Sequence, residues 1–422
     1  MLFLRSVLSA RSPKVIFMSV LAASTSLSVT PPDIGPRLLI VLLITVSVAL
    51  LIVANRRWLS RRMRDRQDAT AVQASHVGDP LRLGGLAIFA GLVAGLLAEG
   101  RDGSWMPVLV VVSAVPAVLA GLLEDLGYGV SAQHRLAAAF VSAALAVLLL
   151  GVWVTRADLP GLDRVLGLAP LAVPLTLMLS AGFCHATNLV DGMNGLAATV
   201  VISASVGIWM LAREAGLADV AAMAAVLGAA MAGFVVLNWP FGTVFMGDAG
   251  SYGVGHVLIW IAILLAARAP EIAMPALVLI LFWPFADTLH SIARRLVSRS
   301  PVFAPDRMHL HQKMRRCIEI AFLGGAHRRR SNPLATLALA PMIVMPVIAG
   351  VALADDAPAA WAALAVFGMV FGLTHVAVTR LAIRHRCRTR LPRGVSGDDI
   401  SDEESSPDSA PRKAASIPNC RL

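Results

Sequence analysis

The sequence predicts an all-α protein that crosses a membrane about ten or eleven times. The 422-residue chain is 57% hydrophobic and only 15% charged, whereas soluble domains carry about 25% charged residues. Its apolar residues form eleven runs close to the length of a bilayer span. Its Lys and Arg residues are concentrated in alternate connections between those runs. Together these features indicate a polytopic membrane protein rather than a soluble domain.

Each apolar run of about 20 residues predicts one transmembrane helix. On this basis we expect helices at residues 38–54, 83–98, 107–123, 136–153, 168–186, 196–212, 220–237, 251–267, 274–290, 334–353 and 359–378. The two shortest runs, 83–98 and 251–267, need their glycine-rich flanks to cross a bilayer.

The distribution of basic residues predicts the orientation of the chain. If the segment after the first helix is cytoplasmic, the cytoplasmic segments hold 27 of the 36 Lys and Arg residues. The positive-inside rule then places the amino terminus outside and the carboxyl terminus in the cytoplasm. This topology explains most of the net charge of +10, so no nucleic-acid partner is expected.

The chain divides into three parts. Residues 1–37 contain a short apolar stretch after several basic residues, and we interpret them as a signal-like segment or an artefact of an upstream start. Residues 38–380 form the membrane-embedded domain. Residues 381–422 are polar and rich in Pro and Ser, which predicts a disordered cytoplasmic tail.

Polar residues are concentrated at one end of the predicted helices. The stretches are "GDPLRLGGLAIF", "GLLEDLGYGVSAQHR", "CHATNLVDGMNGLAA", "NWPFGTVFMGDAGS" and "RRLVSRSPVFAPDRMHLHQKMRR". All five fall on the predicted cytoplasmic side, and the opposite loops are short. A carrier would place its site near the midplane of the membrane. The one-sided arrangement therefore favours an enzyme that uses a cytosolic substrate.

These stretches contain acids at the ends of different helices, which a helical bundle can bring together. The acids are Glu124, Asp125, Asp191 and Asp248. Clustered carboxylates repel each other unless a cation is present, and hard oxygen ligands suit Mg²⁺ or Mn²⁺. Arg307, His309 and His311 add donors that suit a pyrophosphate. Acids for a metal and bases for phosphate indicate phosphoryl-type chemistry at a membrane surface.

Five motifs occur in the order found in a known family of membrane enzymes. "PLRLGGLAIF", "GLLEDL", "NLVDGMNGLAA", "FMGDAGS" and "PDRMHLHQ" together resemble the polyprenyl-phosphate N-acetylhexosamine-1-phosphate transferases. The resemblance covers roughly residues 38–380. Members of this family begin the synthesis of O-antigen and lipopolysaccharide, teichoic acid and other cell-surface glycans, and a sister branch serves peptidoglycan synthesis.

The resemblance implies a reaction and a location. UDP-N-acetylhexosamine and undecaprenyl phosphate would give undecaprenyl-diphospho-sugar and UMP, with Mg²⁺ as cofactor and Mn²⁺ as the alternative ion. The enzyme would lie in the bacterial inner membrane with its active site on the cytoplasmic face. Its partners would be the UDP-sugar, the lipid phosphate and the bilayer, with a homodimer as an open alternative.

The resemblance also implies roles for individual residues. Asp248 would ligate the metal, with Asp191 as a further ligand and catalytic residue. Glu124 and Asp125 would position or deprotonate the lipid phosphate, and the loop with His309 and His311 would close over the diphosphate. Residues expected to bind the substrate are Asn188, Asn194, Asn238, Phe245 and Arg307.

Three positions depart from the family pattern. Glu124 stands where Asp is usual, Asn194 replaces the second acid of a "DGxDG" pattern, and Gln312 replaces a histidine. Asn194 keeps hydrogen-bonding capacity but cannot ligate as an anion, and Gln312 removes a titratable group. These departures leave an attenuated enzyme as an alternative.

Other interpretations of the same residues stay open at this point. Asp248 and Asp191 also fit turns or helix caps beside glycine. Glu124 and Asp125 fit the end of a span, and the two histidines fit a solvated loop. A secondary transporter or a non-catalytic scaffold would explain the hydrophobicity. Within the enzyme class, a phospho-MurNAc-pentapeptide transferase is the alternative, although that branch carries a triple-histidine run where this chain has "HLHQ".

Overall fold

The computed structural model describes residues 34–59, 81–99, 105–299, 308–323 and 328–390. Its principal helices, in chain order, are α1 (Ile34–Ala54), α2 (Gly84–Glu99), α3 (Met106–Asp125), α4 (Ala132–Leu150), α5 (Pro160–Leu166), α6 (Ala169–Val190), α7 (Leu196–Glu214), α8 (Ala218–Asn238), α9 (Gly247–Arg268), α10 (Met274–Ile280), α11 (Phe282–Val297), α12 (Leu310–Ile318), α13 (Arg328–Ala352) and α14 (Ala357–Arg390). A single π-helical turn, Glu319–Leu323, follows α12.

The helices confirm the predicted all-α membrane architecture. Within the described ranges, nine helices are long and apolar enough to span a bilayer, and the bent pair α10–α11 makes a tenth if it is one span. The eleventh predicted run corresponds to α2, which has only 16 residues. The orientation of the termini stays a prediction, because it rests on the charge rule alone.

The predicted continuous helix at 274–290 is wrong in one respect. The chain forms two helices, α10 and α11, which meet at Leu281 at an angle of 86°. Pro284 lies in the first turn of α11. Its ring removes a backbone donor and conflicts with the carbonyl four residues earlier, so a straight helix cannot continue through this position.

Most helix boundaries differ by a few residues from the apolar runs, and two of the differences are informative. The helix α9 begins at Gly247 rather than near residue 251, because its first turn is the polar sequence Gly-Asp-Ala-Gly. The helix α14 continues to Arg390, past the expected start of the tail at 381. Residues 1–33 and 391–422, which hold most of the predicted amino-terminal extension and tail, lie outside the described residues.

The helix α9 forms the centre of the bundle. Every residue from Gly247 to Leu265 is buried, and the helix packs mainly against α2, α3 and α6. Glycine permits the closest approach: a β-carbon at Gly121 of α3 would lie 2.5 Å from the backbone of Asp248 and Ala249. The start of α9 is therefore pressed directly against the end of α3.

A short backbone pairing fixes the segment that precedes α9. Leu81 and Val244 form an isolated parallel bridge. The N–H of Phe245 donates to the carbonyl of Leu81 at 2.9 Å, and the N–H groups of Gly84 and Gly85 donate to the carbonyls of Phe245 and Met246 at 2.8 Å. These backbone hydrogen bonds join the "RLGG" stretch to the "FMGD" stretch.

Candidate active site

Two carboxylates from different helices hold the amino terminus of α9. Asp125, the last residue of α3, accepts hydrogen bonds from the backbone N–H of Asp248 at 2.9 Å and of Ala249 at 2.8 Å. Asp191, which caps the end of α6, accepts from the N–H of Gly247 at 3.0 Å and, in a longer contact of 3.4 Å, from Met246. The first N–H groups of a helix have no partner within it and carry partial positive charge. Both carboxylates therefore lie at the amino terminus of α9, where these N–H groups attract negative charge.

This arrangement requires an unusual backbone conformation at the first residue of α9. Gly247 has a φ of 72°, a region that favours glycine. A β-carbon there would also lie 2.7 Å from an oxygen of Asp125. The glycine before Asp248 is thus required both by the turn and by the carboxylate packed against it.

The side chain of Asp248 forms an ion pair with Arg135 of α4. Both side chains are largely buried. Arg135 lies in the first turn of a helix that begins with Ser131 as its N-cap, in the stretch "SAQHR". Arg135 was not predicted as a site residue, and its ion pair with Asp248 adds it to the site.

The Asp191 carboxyl is poised between its charged and neutral forms. Burial raises its pKa from the ordinary value of 3.8 to about 7, opposed by the hydrogen bonds from Gly247 and Met246 and by the charge of Arg82. The same Arg82 also acts electrostatically on Asp125. Arg82 follows Leu81 in the strand-like pairing, so the "RLGG" stretch brings a guanidinium to the two acids.

Polar side chains on α6 continue the site along α9. The Ser251 hydroxyl donates to the side-chain oxygen of Asn188 at 2.7 Å. One helical turn before Asn188, His185 is hydrogen-bonded to the Tyr252 hydroxyl at 2.8 Å. Arg135 and His309 both lie within electrostatic reach of His185, which connects the acid end of the site with the histidine loop.

The two predicted histidines face a buried acid, Asp287, which was not predicted as a site residue. The Nδ1 atom of His309 lies 3.0 Å from Oδ2 of Asp287, and Nδ1 of His311 lies 3.6 Å from the same oxygen. The imidazole rings are nearly parallel, with centroids 5.6 Å apart. All three side chains are at most 3% exposed.

His311 reaches back to the acid end of the site. Its Nε2 atom lies 3.9 Å from where a β-carbon would stand at Gly192, the residue after Asp191. Burial lowers the pKa of His311, opposed by its contact with Asp287. This histidine is therefore held mainly neutral beside the Asp191–Gly192 turn.

The expected nucleotide-binding asparagines are engaged within the protein. The Asn238 side chain accepts from the N–H of Gly195 at 2.5 Å and donates to the carbonyl of Val244 at 2.7 Å. Asn194 donates from its side chain to the carbonyl of Pro240 at 2.8 Å. These bonds tie the "NLVDGMNG" turn to the segment before α9, and a direct contact with a nucleotide stays a prediction for both residues.

Of four other positions named from the sequence, the structure describes three. Phe245 is buried, 2% exposed. Oε2 of Glu124 is buried with no hydrogen-bond partner in the described part of the chain. Gln312 lies in the first turn of α12 and also has a buried side-chain oxygen, Oε1, without such a partner there. Arg307 lies outside the described residues.

Two signals could have led to the residues that were missed. Asp287 is a single acid within an apolar run, and a carboxylate in such a place costs about 2.5–3.5 kcal/mol or more. Such a cost indicates that the acid has a compensating partner. Arg135 ends the "GLLEDLGYGVSAQHR" stretch, where it is the only basic residue apart from His134.

The fold and this site define a class: a polytopic helical membrane protein with acids and histidines gathered at one end of its central helix. A family model, glycosyl transferase family 4, matches residues 107–266. These residues run from α3 to α9 and include Asp125, Asp191 and Asp248.

Several curated relatives are similar over a larger part of the chain. A decaprenyl-phosphate N-acetylglucosaminephosphotransferase of Mycobacterium tuberculosis is 30% identical over 321 residues, covering 66% of this chain and 78% of the relative. A probable undecaprenyl-phosphate N-acetylglucosaminyl 1-phosphate transferase of Bacillus subtilis is 31% identical over 236 residues, covering 55% and 65%. A phospho-N-acetylmuramoyl-pentapeptide-transferase of Synechococcus is 34% identical over 227 residues, covering 51% and 64%. The chain belongs to the polyprenyl-phosphate N-acetylhexosamine-1-phosphate transferase family.

Proposed function

We propose that this protein transfers an N-acetylhexosamine 1-phosphate from a UDP-sugar to undecaprenyl phosphate, releasing UMP. The observation that carries the proposal is the convergence of Asp125, Asp191 and Asp248 from three separate helices at the start of α9. The family relationship supports the same chemistry. The product would begin a cell-surface glycan such as O-antigen, built on the cytoplasmic face of the inner membrane.

The acids suit a magnesium ion that is shared with the substrate. Mg²⁺ typically takes one or two carboxylates together with waters and substrate phosphates, and no group of three or more His, Cys, Asp or Glu side chains among the described residues is arranged to hold a metal by itself. Asp248 would be the principal ligand and Asp191 the second. The raised pKa of Asp191 fits a carboxyl whose compensating cation arrives with the substrate. When bound, Mg²⁺ (or Mn²⁺) would neutralise the pyrophosphate.

The basic residues of the site would then align two polyanions. Arg135, once released from Asp248, and Arg82 are placed to neutralise phosphate charge at the acid end of the site. An undecaprenyl phosphate oxyanion is already a nucleophile near neutral pH, so the protein has chiefly to orient it in line with the β-phosphorus. UMP is the leaving group.

Asp125 is better suited to orientation than to proton removal. Both of its carboxylate oxygens accept backbone N–H groups at the start of α9. In this position it would fix Asp248 and the following turn. Glu124, whose Oε2 atom has no hydrogen-bond partner among the described residues, is the acid that could accept a proton from a lipid phosphate that still carries one.

The alternatives fit these observations less well. A transporter would place its acids near helix midpoints, whereas Asp125 ends α3, Asp191 follows α6 and Asp248 begins α9. The peptidoglycan branch stays a second candidate, because a phospho-N-acetylmuramoyl-pentapeptide-transferase is among the relatives. The "HLHQ" sequence favours the N-acetylhexosamine branch.

The experiment that tests the proposal is a donor panel. The purified protein in lipid nanodiscs is incubated with undecaprenyl phosphate, Mg²⁺ and, separately, UDP-GlcNAc, UDP-GalNAc or UDP-MurNAc-pentapeptide, and UMP release is measured. We expect release with one of the two UDP-N-acetylhexosamines and none without the lipid phosphate. Release only with UDP-MurNAc-pentapeptide would favour the second candidate, and no release with any donor would contradict both.

A further inference from the structure

Asp287 is a buried acid on α11 that forms hydrogen bonds with the segment carrying His309 and His311. Its side chain is 2% exposed. Oδ2 lies 3.0 Å from Nδ1 of His309, and Oδ1 accepts the backbone N–H of Leu310 at 3.3 Å. The two oxygens therefore hold one imidazole ring and the backbone that carries it, on a loop 22 residues away in sequence.

The bend between α10 and α11 brings Asp287 to this place. After the 86° turn, α11 buries a stripe at Asp287, Ser291 and Arg295, each four residues apart. Leu289 and Leu296 on the other side of the helix are more than 60% exposed. Asp287 thus lies on the face of α11 that packs inward. If α10 and α11 formed one straight helix, this face would lie in a different place.

The carboxylate determines the protonation pattern of the His309 ring. An ionised carboxylate only accepts hydrogen bonds, so Nδ1 of His309 must carry the hydrogen that is shared with Asp287. When the ring is neutral, its Nε2 atom then carries a lone pair rather than a hydrogen. Such an acid also fixes the ring plane, as carboxylates do for histidines in other enzyme sites.

The same oxygen also acts on the second histidine. At 3.6 Å from Nδ1 of His311, Oδ2 of Asp287 is at ion-pair rather than hydrogen-bond distance. His309 and His311 are two residues apart in sequence, with Leu310 held between them. One acid therefore orients a parallel pair of rings, one of which reaches the Asp191–Gly192 turn.

We propose that Asp287 is a positioning residue that holds His309 in its Nδ1–H form and aims the histidine pair at the reacting phosphates. The part that concerns phosphates rests on the proposed function. The part that concerns the ring is a property of the folded protein and is tested without substrate.

The catalytic test is a double-mutant cycle of D287N and H309A. Asn keeps the size of the side chain, but its amide group can donate to Nδ1 and so favours the opposite tautomer. We expect kcat for UMP release to fall about 100-fold in D287N, with the KM for the UDP-sugar within about threefold of wild type. Because Asp287 acts mainly through His309 and only at a longer distance on His311, the effect of D287N should shrink to a few-fold in the H309A background.

Two controls separate positioning from a general loss of structure. D219N removes the acid of a partly exposed ion pair with Arg268, at the opposite end of α9, and should leave kcat unchanged. Melting temperatures in nanodiscs show whether each variant is folded. If D287N does not accumulate, D287E, which keeps an acceptor-only carboxylate, replaces it in the cycle and should retain more activity than H309A.

The substrate-free test is ¹⁵N NMR of histidine-labelled protein, with the His309 signal assigned by its loss in H309A. We expect the Nδ1–H tautomer in the wild type and the Nε2–H tautomer in D287N. A wild-type rate in D287N, additive losses in the cycle, or an unchanged tautomer would overturn the proposal. If the wild type released no UMP with any donor, the proposed function would fail, and the tautomer result would still decide the role of Asp287.

Discussion

The acids at the start of α9 and the acid on α11 have different kinds of partners. Asp125 and Asp191 accept backbone N–H groups of α9, whereas Asp287 accepts one backbone N–H and faces two imidazole rings. In the first region, carboxylates complete a helix and thereby support the fold. In the second, a carboxylate determines which nitrogen of a histidine ring carries the hydrogen. Substitutions should therefore affect stability more in the first region and chemistry more selectively in the second.

The largest expected effect is that of D248N. Asn has almost the same shape as Asp but carries no charge to hold a divalent cation, so UMP release should fall about 10³-fold. The melting temperature should fall less than in D125N, because the Asn amide oxygen can still accept from Arg135 and no backbone N–H of α9 loses its partner. UMP release and thermal unfolding in nanodiscs measure the two quantities. A rate near that of the wild type would remove Asp248 from the metal site.

D125N should reduce activity and stability together, and this sharpens the contrast with Asp248. An amide has one acceptor oxygen, so one of the two N–H groups now bound by Asp125 loses its partner. We expect a destabilisation of about 1–3 kcal/mol and a rate loss of roughly 10²-fold. Thermal unfolding compared with D248N is the measurement, and equal stability of the two variants would contradict the distinction between them.

The raised pKa of Asp191 predicts that the metal-free protein is more stable at mildly acidic pH. The folded state retains a proton up to pH about 7, whereas the ordinary pKa is 3.8. The folded state therefore binds more protons between these values, and its stability falls as pH rises.

Between pH 5 and 7 the contribution of Asp191 should lower the free energy of unfolding by about 2 kcal/mol. Subtracting the pH dependence of D191N isolates this group from the histidines, whose effects have the opposite sign. Mg²⁺ with UDP-sugar should reduce the dependence. A difference of zero between wild type and D191N would refute the assignment.

R135Q should alter the demand for metal. Removing the guanidinium leaves Asp248 without its competing cation, and a partly buried ion pair contributes about 1 kcal/mol. The concentration of divalent cation for half-maximal binding should therefore fall about fivefold. Mn²⁺ replaces Mg²⁺ in this measurement because electron paramagnetic resonance detects it. The maximal rate should fall as well, since Arg135 would no longer neutralise phosphate. Unchanged or weaker binding of Mn²⁺ would count against competition.

The smallest effect is expected at the opposite end of α9. Arg268 in the last turn donates to Asp219 at 2.6 Å, and both groups are partly exposed. D219N should change stability by less than about 1 kcal/mol and leave UMP release within roughly twofold of wild type. A large loss of activity would mean that the function of α9 is not confined to its amino-terminal end.

Much of the fold followed from hydrophobicity and the position of charges. All eleven apolar runs are helical, because bilayer length and backbone satisfaction leave few other solutions. The start of α9 was placed too late, since its polar first turn does not resemble a span. The bend before Phe282 was missed, although Pro284 is visible in the sequence.

The site was predictable to the extent that its members lie at helix ends. Asp125, Asp191 and Asp248 were expected to meet because each ends or begins a helix on one side of the membrane. Their partners were not predictable, because the contact of Asp125 with Ala249 joins residues 124 apart. The pairing of Asp287 with His309 depends on the bend at Leu281, which hydropathy does not reveal.

The burial of α9 has a consequence for how the chain is assembled. The helices that surround it most closely, α2, α3 and α6, all precede it in sequence. These three helices are synthesised before α9. The surfaces against which α9 packs are therefore available when it enters the membrane. Asp125 and Asp191, which contact its first turn, also precede it in sequence. Packing of α9 therefore completes the acid end of the site, and Asp287, His309 and His311, which follow α9, are added afterwards.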